Sequence, residues 1–430
     1  MSFPKYQRYK DSGVNWIGSV PDHWNVLPLK RHSRLLTNKT DRRSFPVALE
    51  NVESWTGRYV PSDSEFEGEG VAFEKGDILF GKLRPYLAKA LVASRAGEAI
   101  GDFLVLRPDD RVVSRFTAYQ ILSREFISIV DGATFGTKMP RASWEIVGGM
   151  VLPLPSPAEQ SAIVDFLDRE TAKIDVLVAE QEKLIERLEE KRQAVISHAV
   201  TKGLNPAAPM QDSGVEWLGR VPTHWKVKSI RYILNAIGDV DHFMPVSVES
   251  GVPYLMTGDL KDFVSEVRLE ECKKVSRQDF VQLSKKIRTS KGDVVMARYA
   301  TIGTSMYVDL DLDILVSYSC VTLKTNLSQM SGMYLFQYMK SDPFRQGIEH
   351  QVNTNTQGNV GITDLQGLKI AVPPIDEQAA IVTFLQHETA KIDRLIGEAN
   401  SAIALLQERR SALISAAVTG QIDVRQLVAA

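Results

Sequence analysis

Glu159 to Asp175 reads EQSAIVDFLDRETAKID, and the stretch returns from Glu377 to Asp393 as EQAAIVTFLQHETAKID. Each copy opens a long amphipathic segment. In the first, apolar residues recur at Ile163, Phe166, Leu167, Ile174, Leu177, Leu184, Leu188, Val195 and Ile196. In the second they recur at Ile381, Leu385, Ile392, Leu395, Ile403, Leu406 and Leu413. Intervals of three, four and seven mark one stripe of a helix or a coiled-coil seam. Ser156-Pro157-x-Glu159 is a start signal: a capping hydroxyl, a proline suited to the first turn, and a glutamate that can close a capping box. Gly203, with Asn205-Pro206 and Pro209 behind it, is the stop, and the second segment ends near Gly420. A helix of about 40 residues is about 60 Å long at 1.5 Å per residue. A single apolar stripe of that length needs a partner, and the other copy is the nearest. The spacing therefore predicts two helices paired through Leu167, Ile174, Leu177, Leu184 and Leu188 on one, and Leu385, Ile392, Leu395, Leu406 and Leu413 on the other. Glu170, Gln181 and Lys191 would interrupt that seam with polar side chains, which can set register.

A second stretch is also doubled. DSGVNWIGSVPDHW at Asp11 returns as DSGVEWLGRVPTHW at Asp212. The first repeat is displaced by 218 positions (377 − 159) and the second by 201 (212 − 11), so the later copy has 17 extra residues between its landmarks. Between these landmarks lie short β-type runs, Asp77–Phe80 and Phe103–Leu106 in one copy, Asp293–Met296 and Ile314–Val316 in the other. Helical stretches interleave, such as Arg115 to Val130 and Met333 to Met339, which reads as a mixed α/β domain. Lys75-Gly76-Asp77-Ile78 echoes Lys291-Gly292-Asp293-Val294, and Pro-rich exits precede both long helices. The expected architecture is α/β (α+β): two mixed globular domains and two long helices pairing as an antiparallel coiled coil, with a pseudo-twofold internal repeat. The boundaries are 1–155, 156–205, 206–374 and 375–430.

The 430 residues are 44% apolar and 24% charged, enough for two to four domains, each with its own core. No apolar run approaches the roughly 20 residues of a membrane helix, and MSFPKYQRYKDSG carries no secretory h-region. Cys272 and Cys320 sit in no CxxC pattern and read as free thiols in a reducing cytoplasm. A net charge of −2 neither announces nor excludes nucleic acid, because binding depends on a local patch.

The doubled D-S-G-V-x-W-[IL]-G-x-V-P-x-H-W, the K-G-D-[IV] segments and the Pro-rich exits into x-E-Q-x-A-I-V-x-F-L-x-x-E-T-A-K-I-D resemble the specificity (S) subunit of type I restriction-modification systems. The motifs cover the chain in the order and spacing of that family. The resemblance implies two target-recognition domains, 1–155 and 206–374, each reading one half of an asymmetric split sequence in double-stranded DNA. It implies that the conserved helical regions, 156–205 and 375–430, set the gap and dock two methyltransferase (M) subunits. S-adenosylmethionine would then belong to the M subunits, and ATP and Mg to a restriction (R) subunit that can join. The implied location is the cytoplasm, in host defence.

The residues agree that chemistry lies elsewhere. No Asn/Asp-Pro-Pro-aromatic motif is present; Asn205-Pro206-Ala207-Ala208 lacks the second proline and the aromatic. No G-x-x-x-x-G-K-[ST] loop, HExxH pair or Cys/His cluster occurs. This chain is therefore expected to bind no cofactor or metal and to be no enzyme. His23 and His224, beside Trp24 and Trp225, read as packing at the domain opening. Base reading favours Arg or Lys for guanine and Asn or Gln for adenine. Candidates are Lys82, Arg84 and Tyr86 after the first strand, then Thr137, Lys138 and Arg141. In the second domain they are Arg298, Tyr299 and Thr301, then Asn353, Thr354, Asn355, Gln357 and Asn359. Lys30, Arg31, Arg34, Lys226, Lys228 and Arg231 read as solvated basic faces. Two other readings stay open: a coiled-coil scaffold whose globular domains bind proteins, and a self-contained methyltransferase or nuclease.

Overall fold

The computed structural model describes residues 3–62, 68–134, 138–350, 358–425 and 427. Two helices run far longer than any other element: α1, Pro157–Lys202, and α2, Ile375–Val418. The chain forms two compact units, Met1–Gln181 with Asn400–Ala430, and Glu182–Ala399. The division passes through both helices, so compactness groups each globular part with the helix halves packed on it.

In the first unit, Ile163, Phe166 and Leu167 of α1 are buried with Leu413, Ile414 and Ala417 of α2, and Arg410 Nε donates to Asp175 at 3.0 Å. In the second, Ile196, Ala199 and Val200 of α1 are buried with Ile381 and Leu385 of α2, and Arg192 pairs with Asp393 at 3.4 Å. In each unit the numbers rise along one helix as they fall along the other, so the helices pair antiparallel. Arg192 and Arg410 are 218 positions apart, as are Asp175 and Asp393, so the two clasps are copies of each other.

One stripe of buried and half-buried positions in α1 runs Leu167, Thr171, Ile174, Val178, Gln181, Ile185, Leu188, Arg192, Val195 and Ala199. The matching stripe in α2 runs Leu385, Thr389, Ile392, Ile396, Ala399, Ile403, Leu406, Arg410, Leu413 and Ala417. Both alternate intervals of four and three without a break, the spacing of a heptad seam. Leu167, Ile174, Leu188, Leu385, Ile392, Leu406 and Leu413 sit where the sequence predicts. Leu177, Leu184 and Leu395 do not; they are 50%, 43% and 41% exposed. Val178, Ile185 and Ile396 occupy their places. A leucine one step from a β-branched residue is a poor guide to register, because either can fill a core position. Gln181 does interrupt the seam, whereas Lys191 is exposed and Glu170 pairs with Lys173 on the helix surface.

The repeated Glu-Gln pair explains how each helix is fastened. Glu159 accepts from the Ser156 hydroxyl at 3.1 Å and from Trp24 Nε1 at 3.4 Å, and lies 2.9 Å from His23 Nε2. Its carboxylate thus grips the domain opening as well as the helix start. Glu377 does the same with Trp225 Nε1 at 3.0 Å and His224 Nε2 at 2.8 Å. Burial pushes the Glu159 carboxyl up, but the His23 partner, Trp24 and Ser156 more than offset this and hold it below the usual range. Gln160 is fully buried; its amide donates to Pro155 O at 2.9 Å and Arg111 O at 3.0 Å and accepts from Val113 N–H at 2.7 Å. Gln378 repeats all three bonds with Pro373, Gln329 and Ser331. At the far end of each helix a glycine takes positive φ, +73° at Gly203 and +74° at Gly420. A Cβ there would stand 2.9 Å from Glu377 Oε1 and 3.2 Å from Trp225, or 2.4 Å from Pro21 and 3.1 Å from Trp24, on a backbone that disfavours any side chain, so glycine lets the helix end meet the opening of the domain.

The globular parts share one plan. An antiparallel sheet of Ser33–Leu36, Phe103–Pro108, Ile78–Gly81 and Ala90–Val92 matches Leu234–Gly238, Cys320–Thr325, Val294–Ala297 and Ser305–Tyr307. A short ladder pairs Asn25–Pro28 with Val151–Leu154, and Lys226–Ser229 with Lys369–Val372. The K-G-D echo is a turn into the central sheet. Asp77 accepts from Glu74 N–H and from both Arg107 nitrogens at 2.7 Å, and Asp293 from Ser290 N–H at 2.8 Å and Lys324 at 2.5 Å. The second unit's extra residues fall mainly after Leu234–Gly238 and between Asp259 and Asp293. The latter stretch carries the helix Arg277–Leu283, with no counterpart among the described residues of the first unit.

Glu159→Ala removes charge-assisted hydrogen bonds and is expected to cost about 2–3 kcal/mol in urea unfolding. Because the carboxyl is held below its ordinary value, this stabilisation is present at neutral pH and lost as pH falls through that lowered value. The gap in urea midpoint between the native chain and Glu159→Gln therefore closes on acidification. On the seam, Ile392→Ala is expected to cost about 2–4 kcal/mol and the exposed Leu395→Ala under about 1 kcal/mol, read from the same melts.

Candidate nucleic-acid interface

In the first unit the strand Ile78–Gly81 delivers Lys82, Leu83 and Arg84 to the domain surface. A second segment folds beside them. Leu83 and Arg141 form an antiparallel bridge, Arg84 N–H donates to Pro140 O at 2.8 Å, and Ala142 N–H donates to Lys82 O at 2.9 Å. Two candidate stretches some fifty residues apart are thereby one surface. Asp102 secures it: Arg141 Nε and Nη2 donate to its two oxygens at 3.0 Å each, and Lys82 Nζ stands 3.8 Å away. Tyr86 and Lys138 are exposed, and Thr137 lies outside the described residues.

The second unit repeats the backbone arrangement. Arg298 N–H donates to Ser319 O at 2.9 Å, as Lys82 N–H does to Asp102 O at 2.8 Å. Tyr299 bridges Asn359 and Val360 N–H donates to Arg298 O at 3.2 Å. These contacts make Lys82 equivalent to Arg298, Leu83 to Tyr299, Arg84 to Ala300, and Arg141 to Asn359. Thr301 is exposed and Tyr299 and Asn359 are half-buried, while Asn353, Thr354, Asn355 and Gln357 lie outside the described residues.

Arg298 departs from its expected role as a DNA contact. It is 6% exposed, donates to Asp239 Oδ2 at 2.7 Å and to Val360 O at 3.3 Å, and lies over the Tyr299 ring. A guanidinium so enclosed ties the two segments together instead of facing a ligand. Asp239 also accepts from Lys286 at 2.7 Å, with His242 Nε2 at 3.4 Å. Burial pushes the Asp239 carboxyl up, and the Lys286 hydrogen bond and Arg298 charge overcome this and hold it below the ordinary value. Sequence reading missed Asp102 and Asp239. Neither lies near a motif, and they come from different places: Asp102 directly before a strand, Asp239 directly after one. The surfaces also diverge in character. Past Ser33–Leu36 the first unit carries Lys39, Arg42 and Arg43; past the equivalent Leu234–Gly238 the second exposes Phe243, Met244 and Val246. Of the basic faces, Lys30, Arg31 and Arg34 are exposed, whereas Lys228 donates to Gln329 Oε1 at 2.5 Å.

Among the described residues no group of His, Cys, Asp and Glu could hold a metal ion, and no helix is long and apolar enough to cross a membrane. Cys272 and Cys320 are buried free thiols, and burial pushes the Cys320 thiol up to about 12.

Residues 224–403 match the family described as the type I restriction modification DNA specificity domain. The chain is 21% identical to the EcoBI specificity subunit of Escherichia coli over 70% of its length, and that match spans 64% of the EcoBI subunit, less than two thirds. It is 23% identical to the EcoKI specificity subunit of Escherichia coli strain K12, covering 97% of this chain and 86% of that one. Among solved structures, a chain from a study of the assembly and conformational transition of the type I R-M system superposes with a TM-score of 0.70 at 16% identity, covering 93% of this chain and 98% of that one. The HsdS subunit of Thermoanaerobacter tengcongensis gives a TM-score of 0.50 at 16% identity, covering 94% and 98%.

Asp239→Ala leaves Arg298 buried without its counter-charge and is expected to cost about 3–5 kcal/mol. Asp102→Ala frees half-exposed cations and is expected to cost under about 1 kcal/mol, both measured by urea unfolding.

Proposed function

We infer that this chain, which belongs to the family of type I restriction-modification specificity subunits, reads an asymmetric bipartite DNA sequence with one half-site per globular domain. Specificity subunits of this kind are non-catalytic DNA-recognition subunits, and this chain is one. The observation that carries the bipartite reading is the doubled surface. In both units a strand exit and a second segment are joined by an equivalent bridge and an equivalent backbone bond beside it, while the side chains mounted there differ. A common frame bearing Arg84 and Arg141 in one copy and Ala300 and Asn359 in the other suits two different half-sites.

In this reading α1 and α2 set the gap between the half-sites and dock two M subunits. Leu177 and Leu395 support the docking role. They occupy equivalent places in the two helices, 218 positions apart, and both are exposed beside the seam. S-adenosylmethionine would be held by the M subunits, and ATP with Mg by an R subunit, in the cytoplasm. Phosphate contacts by the free cations of the first unit would make DNA binding steeply salt-dependent.

The experiment is methylome sequencing of cells expressing this chain with its M subunit, which is expected to give one split, asymmetric methylated sequence. Seven residues inserted into α1 near 180–190, matched by seven in the facing part of α2, keep the heptad seam and lengthen the pair by about 10 Å. The gap is then expected to grow by roughly three base pairs at 3.4 Å each, with both half-sites unchanged. Altered half-sites would refute this division of labour.

A further inference from the structure

We propose that Arg84 and Ala300 occupy the specificity-determining position of their units, Arg84 taking the major-groove edge of a guanine and Ala300 lying against a thymine methyl group. The proposal rests on the DNA-reading function and assigns roles within it.

The backbone singles the position out. Among the described residues, only Trp55, Arg84, Ala88 and Ala300 combine a side chain with clearly positive φ. Arg84 has φ 51° and Ala300 φ 56°, and the two are equivalent by the matching bonds of the two residues before each, Lys82 and Leu83 in one unit, Arg298 and Tyr299 in the other. A left-handed backbone disfavours any residue with a Cβ, and glycine would adopt it freely. That both units keep a side chain in the conformation argues that the side chain is used. The loop is held firmly enough to sustain it. Lys82 is pinned through N–H and C=O, Arg84 N–H is bonded to Pro140, and Pro85 behind it is buried.

The side-chain environment separates the candidate cations. Lys82 and Arg141 face Asp102, and Arg298 is enclosed with Asp239. Arg84 is exposed, and among the described residues its guanidinium has no hydrogen-bond or ion-pair partner. Its neighbours' charges are already answered; its own is not. A free guanidinium at the tip of a rigid turn can place two parallel donors on guanine O6 and N7. Ala300 is exposed at the same tip and has no donor to offer, but a methyl group packs against the methyl of thymine. One geometry with two chemistries is what reading two different bases requires.

The test uses the full chain with its M subunit in cells, with methylome sequencing as the readout. Arg84→Ala is expected to make one base pair of one half-site degenerate, with at least a tenfold loss of discrimination there, leaving the other half-site and the gap intact. Ala300→Arg is expected to change one position of the other half-site only. Arg84→Gly separates reading from folding: it relieves the left-handed backbone, so its melting temperature should not fall, yet the same position should become degenerate. If Arg84→Ala keeps the native sequence while purified complex binds all sequences more weakly, with a salt slope reduced by about one, Arg84 is a phosphate anchor and the proposal fails. A native chain that yields no split methylated sequence overturns the DNA-reading function and this proposal with it. A native split sequence left intact by Arg84→Ala overturns this proposal alone.

Discussion

Each long helix begins at a carboxylate that holds a histidine and a tryptophan from the opening of its own globular domain. Glu159 does this for His23 and Trp24, and Glu377 for His224 and Trp225. The bond matters because it joins parts of the chain about 135 and 152 residues apart at one point. The next residue, Gln160 or Gln378, completes the joint by satisfying three backbone groups that burial would otherwise leave unpaired. Without this joint the helix start would have no fixed direction relative to the domain it leaves. That is a physical reason for these stretches to be nearly identical in the two copies: an aspartate is too short, and an alanine leaves buried donors unanswered.

The divergent regions obey a different constraint. Their loops must hold shape while their exposed side chains vary, and the structure achieves this by keeping the bonds in the backbone. Lys82 and Arg298 share their main-chain partners although one is lysine and the other arginine. The carboxylate that answers the cation can then come from wherever the local sequence provides one, Asp102 in one unit and Asp239 in the other. In the second unit the pair is buried deeply enough for its loss to be severe; in the first it is partly solvated and cheaper to break.

The helix seam shows where sequence reading reaches its limit. Leu167, Ile174 and Leu188 lie on the buried face, but Leu177 and Leu184 pulled the stripe one position off Val178 and Ile185. Periodicity locates a face to within one residue, and burial against a partner decides between neighbours. Thr171 and Arg192 belong to the seam although no hydrophobic count would include them. Arg192 is there because Asp393 is within reach at 3.4 Å, and Arg410 because Asp175 is.

The sequence alone determined the doubled plan, the two long helices with their capping ends, the mixed α/β domains and the absence of motifs for methyl transfer or ATP use. These are legible because they rest on repeats, on helical period and on Gly and Pro, all of which act locally along the chain. It also pointed to candidate stretches at strand exits, where Arg84, Tyr86, Lys138 and Thr301 are exposed. Only the tertiary structure decided which cation is spent inside the fold. Lys82, Arg84, Arg141 and Arg298 look alike in a sequence. Asp102 and Asp239 reach them across the sheet, claiming Lys82 and Arg141 in one unit and Arg298 in the other, while Arg84 has no ion-pair partner among the described residues. A charge's role depends on the counter-charge it meets, and that meeting is set by packing between residues far apart in the chain.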